Sequence, residues 1–101
     1  MKRIPIRLAA DRGRGVSARL EQKCLAAGLR VSAKGTLKTF PGCIHWHLKR
    51  GKERGVLEMT YWPGRHQAWL SVHDGRSAAW IAAAVAEIKQ SLKLKWRPNK
   101  E

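Results

Sequence analysis

Residues 43–73 contain three short runs in which apolar and polar side chains alternate, separated by residues that favour turns. No other feature constrains the fold as much, because a period of two assigns successive side chains to opposite faces of a sheet. Strands over residues 43–50, 56–62 and 66–73 place Ile44, Trp46 and Leu48, then Leu57, Met59 and Tyr61, then Ala68, Leu70 and Val72 on one face. The loop from Arg50 to Gly55 and the turn Pro63-Gly64-Arg65 connect them as an antiparallel meander. Aligning the apolar sets sets the register: Trp46 beside Met59 and Leu48 beside Leu57, then Met59 beside Leu70 and Tyr61 beside Ala68.

Helices flank the meander. Val16, Leu20, Cys24 and Ala27 recur at helical spacing, which predicts a helix over about Ser17–Ala27, capped by Ser17 and stopped at Gly28. Cys24 then belongs to the core. A second helix carries Trp80, Ile81, Ala84, Val85, Ile88 and Leu92 on one broad face, with Asp74 or Ser77 as its cap. Ile4 and Ile6 alternate around Pro5, consistent with an extra edge strand. Residues 30–40 alternate weakly and read as an irregular strand or an extended arm. The expected architecture is a single α+β domain, α-β-β-β-α, with both helices on one face of the sheet. A basic segment (1–15) with a flexible Asp11–Gly15 connector precedes the domain at 16–92, and a basic tail (93–101) containing Trp96 follows it.

The opposite parity of the strands is not an ordinary solvated face. It carries Cys43, His45, His47 and Lys49, then Glu58, Thr60 and Trp62, then Gln67, Trp69, Ser71 and His73. The register puts His47 opposite Glu58, His45 opposite Thr60, Glu58 opposite Ser71 and Thr60 opposite Trp69. His47, Glu58 and His73 should therefore cluster, with His45 one step away. A slip of one residue would dissolve this grouping.

Charge narrows the partners. Lysine and arginine total 21 against 7 acidic residues, a net charge of +14. Such an excess favours polyanions, of which nucleic acid is the commonest a small basic domain meets. Trp62 and Trp69 would stack on bases, Lys49, Arg50, Lys52 and Arg54 would hold phosphates, and His45 and His47 would add polar contacts. Arg76, with His73, Gly75 and Ser77 at the start of the last helix, could hold a further phosphate, unless Asp74 caps the helix there. RNA or single-stranded DNA is expected ahead of duplex DNA, and binding ahead of catalysis.

Two other readings compete. His47, Glu58 and His73 contain what a metal-independent ribonuclease needs: a base, an acid and a cation. Alternatively, Trp62 and Trp69 form a patch through which two copies dimerise. Cys43, His45 and His47 alternate as metal ligands would, with Glu58 and His73 near, but no metal or other cofactor is expected. The two cysteines form no disulfide framework, and no apolar run reaches the length of a signal peptide or a membrane span, so a reducing cytoplasm is the expected compartment.

Across residues 16–92 the helix–three strands–helix order and the basic charge resemble the double-stranded RNA-binding domain. They are also similar to small toxin ribonucleases of the HicA type, which carry a histidine on the sheet. Both resemblances imply an RNA ligand. RNA-binding members share a lysine-rich start to the last helix, where this chain has Asp74-Gly75-Arg76-Ser77. The toxins place their histidine after Gly-Ser, and the nearest match here is Pro41-Gly42-Cys43-Ile44-His45.

Overall fold

A computed structural model describes residues 1–8 and 15–95, with side chains described as far as residue 92. The expected connector at 11–14 and Trp96 lie outside the described residues. Five strands and two helices follow in the order β1 (Lys2–Ile6), α1 (Val16–Ala26), β2 (Arg30–Gly35), β3 (Ile44–Lys49), β4 (Leu57–Trp62), β5 (Gln67–Val72) and α2 (Ala79–Lys95). They build one antiparallel sheet in the order β1-β5-β4-β3-β2. No helix among the described residues is long and apolar enough to cross a membrane.

The meander has the register that its apolar sets require. Trp46 pairs with Met59, Leu48 with Leu57, Met59 with Leu70 and Tyr61 with Ala68. Matching the apolar faces is the only register that buries all three strands against the helices. Leu20 and Cys24 of α1, and Trp80, Ile81, Ala84, Ile88 and Leu92 of α2, join them in one core. Both helices thus cover the same face of the sheet. Burial in that core pushes the Cys24 thiol up to about 12, which keeps it protonated.

The core meander is extended at both edges. β1 pairs with β5, and its proline suits an edge position. Ile4 and Ile6 face the core opposite Leu70 and Ala68, so Arg3 and Pro5 face outward opposite Ser71 and Trp69. At the other edge β2 pairs with β3, but its register shifts between Val31 and Ala33. Val31 pairs with Leu48 and Ala33 with His47, so Ser32 is a bulged residue that reverses the strand's parity. That explains the weak alternation of residues 30–40. The Ser32 hydroxyl donates to the His47 carbonyl (3.2 Å) across the bulge.

Helix boundaries depart slightly from the sequence reading. Gly15, in a left-handed conformation, replaces Ser17 as the N-cap of α1, while Gly28 takes the expected left-handed position just beyond the helix. Neither Asp74 nor Ser77 caps α2. Asp74–Arg76 forms a separate 3-10 turn without a side-chain cap, and α2 begins at Ala79 and runs on to Lys95. Asp74 instead lies 3.8 Å from the N-terminal ammonium.

Candidate functional site

The outward face of the sheet divides into an aromatic end and a polar end, because β4 carries Trp62 at one extremity and Glu58 at the other. The loop between β2 and β3 folds over the aromatic end. Phe40 packs edge-on against Trp62 (5.0 Å between ring centroids) and Trp69 (4.9 Å), and the Trp62 indole N–H donates to the Pro41 carbonyl (3.0 Å). From β1 the Arg3 guanidinium sits 4.6 Å from the Trp69 ring centre. Trp69 is therefore only 6% exposed and offers no open platform. This corrects the expectation of two stacking tryptophans: a strand's parity says which face a residue takes, not what folds over it. Trp62 remains half-buried, with Arg65 5.5 Å from its ring, beside a shallow cleft of about 400 Å³.

The same loop removes Cys43 from the histidine group. Its sulfur accepts the Leu37 N–H (3.3 Å) and contacts the Thr36 hydroxyl (3.7 Å), so the buried thiol knits the loop together and does not join a ligand set.

At the polar end the sequence reading holds and is extended. Glu58 is buried, with its carboxylate ringed by three imidazoles and a guanidinium. Oε1 lies 3.0 Å from His45 Nε2 and 3.9 Å from His47 Nε2. Oε2 lies 3.2 Å from His73 Nε2 and 3.7 Å from an Arg76 guanidinium nitrogen. His47 pairs directly opposite Glu58 and Glu58 opposite Ser71, so His47 and His73 approach the carboxylate from opposite sides. His45 is the surprise. It pairs with Thr60, yet its ring lies diagonally over Glu58, while Nδ1 meets the Thr60 hydroxyl at 2.8 Å.

Burial lowers the His45 pKa, outweighing the opposing pull of Glu58. The ring is thus neutral near pH 7, and a carboxylate can only accept. Nε2–H donates to Glu58 and Nδ1 accepts from Thr60 O–H. Thr60, His45 and Glu58 form one directed hydrogen-bond chain that fixes the carboxylate.

Arg76 reaches this group because the Arg50–Gly55 loop is fastened to the segment after β5. The Val56 N–H donates to the Arg76 carbonyl (3.0 Å), and the Trp80 indole donates to the Arg54 carbonyl (2.7 Å). Gly55 lets the two backbones meet: a Cβ there would lie 2.7 Å from Ala78 Cβ and 2.9 Å from the Arg76 oxygen. Arg50, Lys52 and Arg54 are consequently exposed on a loop clamped beside the cluster, with Lys49 at its base, and Arg50 lies 3.6 Å from Glu53. Arg76 itself sits in the short turn and not at a helix N-terminus, so its place in the site comes from the Glu58 contact.

His45, His47 and Glu58 present donor atoms within 4.8 Å of one another, a set that zinc or iron could use. The Arg76 guanidinium on the same carboxylate opposes a second cation there and suits an anion instead. Sequence reasoning missed Phe40 and Arg3 as the cover of the aromatic end, and Thr60 as the support of His45. For Arg3 a signal was present, since it alternates with Ile4 and Ile6 and must face outward if they face the core.

No family model, curated protein or solved structure matches this chain.

Proposed function

We propose that the protein binds single-stranded nucleic acid, RNA or DNA, at the polar end of its outward sheet face. The observation that carries this reading is the gathering of Arg76 and three imidazoles around one buried carboxylate, beside a clamped loop bearing Arg50, Lys52 and Arg54. A phosphodiester is the anion that a chain of net charge +14 would find there most readily. Arg76 offers a planar fork to a phosphate, and the loop supplies cations to its neighbours along the strand. Trp62, half-open at the far end of β4, gives one base a stacking surface. A single strand lying along β4 would span both ends.

Fluorescence anisotropy with short labelled oligonucleotides across a salt series tests this. Five cations, Lys49, Arg50, Lys52, Arg54 and Arg76, predict a slope of log affinity on log salt of about −3.5 for a single strand. Replacing Arg76 and Lys52 together with alanine should flatten that slope by about 1.4. Equal affinity for single strands and duplexes, with a slope that those substitutions leave unchanged, would refute the assignment.

A further inference from the structure

We propose that the Glu58 cluster cleaves RNA without a metal, with His47 as general base and His73 as general acid on a phosphodiester held by Arg76. This rests on the nucleic-acid reading above and adds a reaction to it.

The assignment comes from how the groups are held. A binding site alone would need only cations, whereas this one surrounds a nearly inaccessible carboxylate with two reachable imidazoles. The Glu58 side chain is 9% exposed, against 32% for His47 and 45% for His73. Glu58 is too enclosed and too engaged to touch substrate, so it acts as a positioning residue, braced by the Thr60–His45 chain. His47 Nε2, at 3.9 Å, makes no hydrogen bond to the carboxylate and is free to accept a proton. His73 Nε2 lies 3.2 Å from Oε2 on a side chain 45% exposed, so its ring is placed by the carboxylate and can still reach a leaving oxygen. Arg76 lies on the His73 side of the same oxygen and is 53% exposed, so its guanidinium can turn to the non-bridging oxygens of a phosphate. His47 and His73 come from either side of Glu58, so a phosphate lying over this group would have one ring at each side.

The step balances without a co-reactant. His47 Nε2 takes the proton of a ribose 2′-hydroxyl as the 2′-oxygen forms a bond to the adjacent phosphorus. The bond from phosphorus to the 5′-oxygen breaks, its electron pair leaves with that oxygen, and His73 supplies the proton. A 2′,3′-cyclic phosphate and a 5′-hydroxyl result, and water exchanges protons with the two rings to restore them.

The test uses the full chain with an end-labelled single-stranded RNA in EDTA, and the same sequence as DNA and as 2′-O-methyl RNA. Anisotropy is measured on each oligonucleotide in parallel. Cleavage of the RNA alone, leaving cyclic phosphate ends, is the expected result. His47→Ala and His73→Ala should each lower the cleavage rate by about 100-fold or more when measured at protein concentrations that saturate the RNA by anisotropy. His45→Gln should lower the rate with Glu58 still in place, as a positioning residue requires. Protein that binds RNA but does not cut it overturns this inference and leaves the binding reading standing. Failure to bind any oligonucleotide overturns the binding reading itself. Cleavage of DNA at the RNA rate, cleavage abolished by EDTA, or cleavage unchanged in both histidine variants also overturns the inference. Circular dichroism of each variant separates lost chemistry from lost fold.

Discussion

Replacing Glu58 with glutamine should destabilise the protein while leaving its affinity for RNA intact or stronger. The carboxylate has four neighbours, but they would not suffer equally. The His73 and Arg76 side chains are 45% and 53% exposed and can turn to water. His45 is 12% exposed and cannot. The cost of breaking a fully buried ion pair, about 3–5 kcal/mol, therefore does not apply. One charged hydrogen bond from an enclosed donor, about 1.5–3 kcal/mol, does. A glutamine oxygen can still accept from His45 as a neutral group, so Glu58→Gln should cost about 1.5 kcal/mol. For a domain of this size that lowers Tm by about 6–12 °C. Thermal melts followed by circular dichroism near neutral pH give the number. Anisotropy should show affinity unchanged or raised, because a negative charge has left the phosphate site. An unchanged Tm would mean that the carboxylate is not the hub of the cluster. A fall in affinity with unchanged Tm would mean that Glu58 meets the ligand itself.

Two further predictions separate the ends of the sheet face and test the protonation of His45. Trp69→Ala should cost about 3–5 kcal/mol, because it empties a site closed by Phe40 and Arg3. Trp62→Ala should chiefly weaken RNA binding, by about 1–3 kcal/mol; melts and anisotropy on both variants would refute this if the two effects were exchanged. The folded-state pKa of His45 lies below its ordinary 6.5, so the unfolded chain binds the proton first as pH falls. Its stabilising contribution is complete above pH 6.5 and is lost as pH falls through the folded value. Urea unfolding at a series of pH values should show stability falling below 6.5, with a shallower fall in His45→Gln; equal slopes in both proteins would refute the neutral assignment.

The meander was legible because its apolar residues obey a single rule. Three runs of period two, joined by short turns, allow one register that puts all three apolar sets on the helix-covered face, and that register brings His47, Glu58 and His73 together. β2 was hard to read because the bulge at Ser32 reverses its parity, so Val31 and Ala33 look like residues of one face and are not. The cap of α2 was misplaced for a similar reason. Asp74 and Ser77 are good capping residues, but the Asp74–Arg76 turn intervenes and α2 starts later, at Ala79.

The amino-acid sequence by itself determined the fold class, the shared face of the two helices, the strand register and the basic character, since each follows from periodicity or composition within short stretches. Only the tertiary structure decided which outward-facing residues remain accessible. Trp62 and Trp69 share a parity, yet the Thr36–Cys43 loop and Arg3 bury one and leave the other half-open. Arg76 reaches Glu58 because the Val56–Arg76 backbone hydrogen bond and the Trp80 indole clamp the Arg50–Val56 loop to the segment after β5, and His45 does so because its ring lies diagonally across two strands. Those contacts join residues far apart in the chain through loops that have no periodicity, and local sequence patterns carry no information about where such loops come to rest.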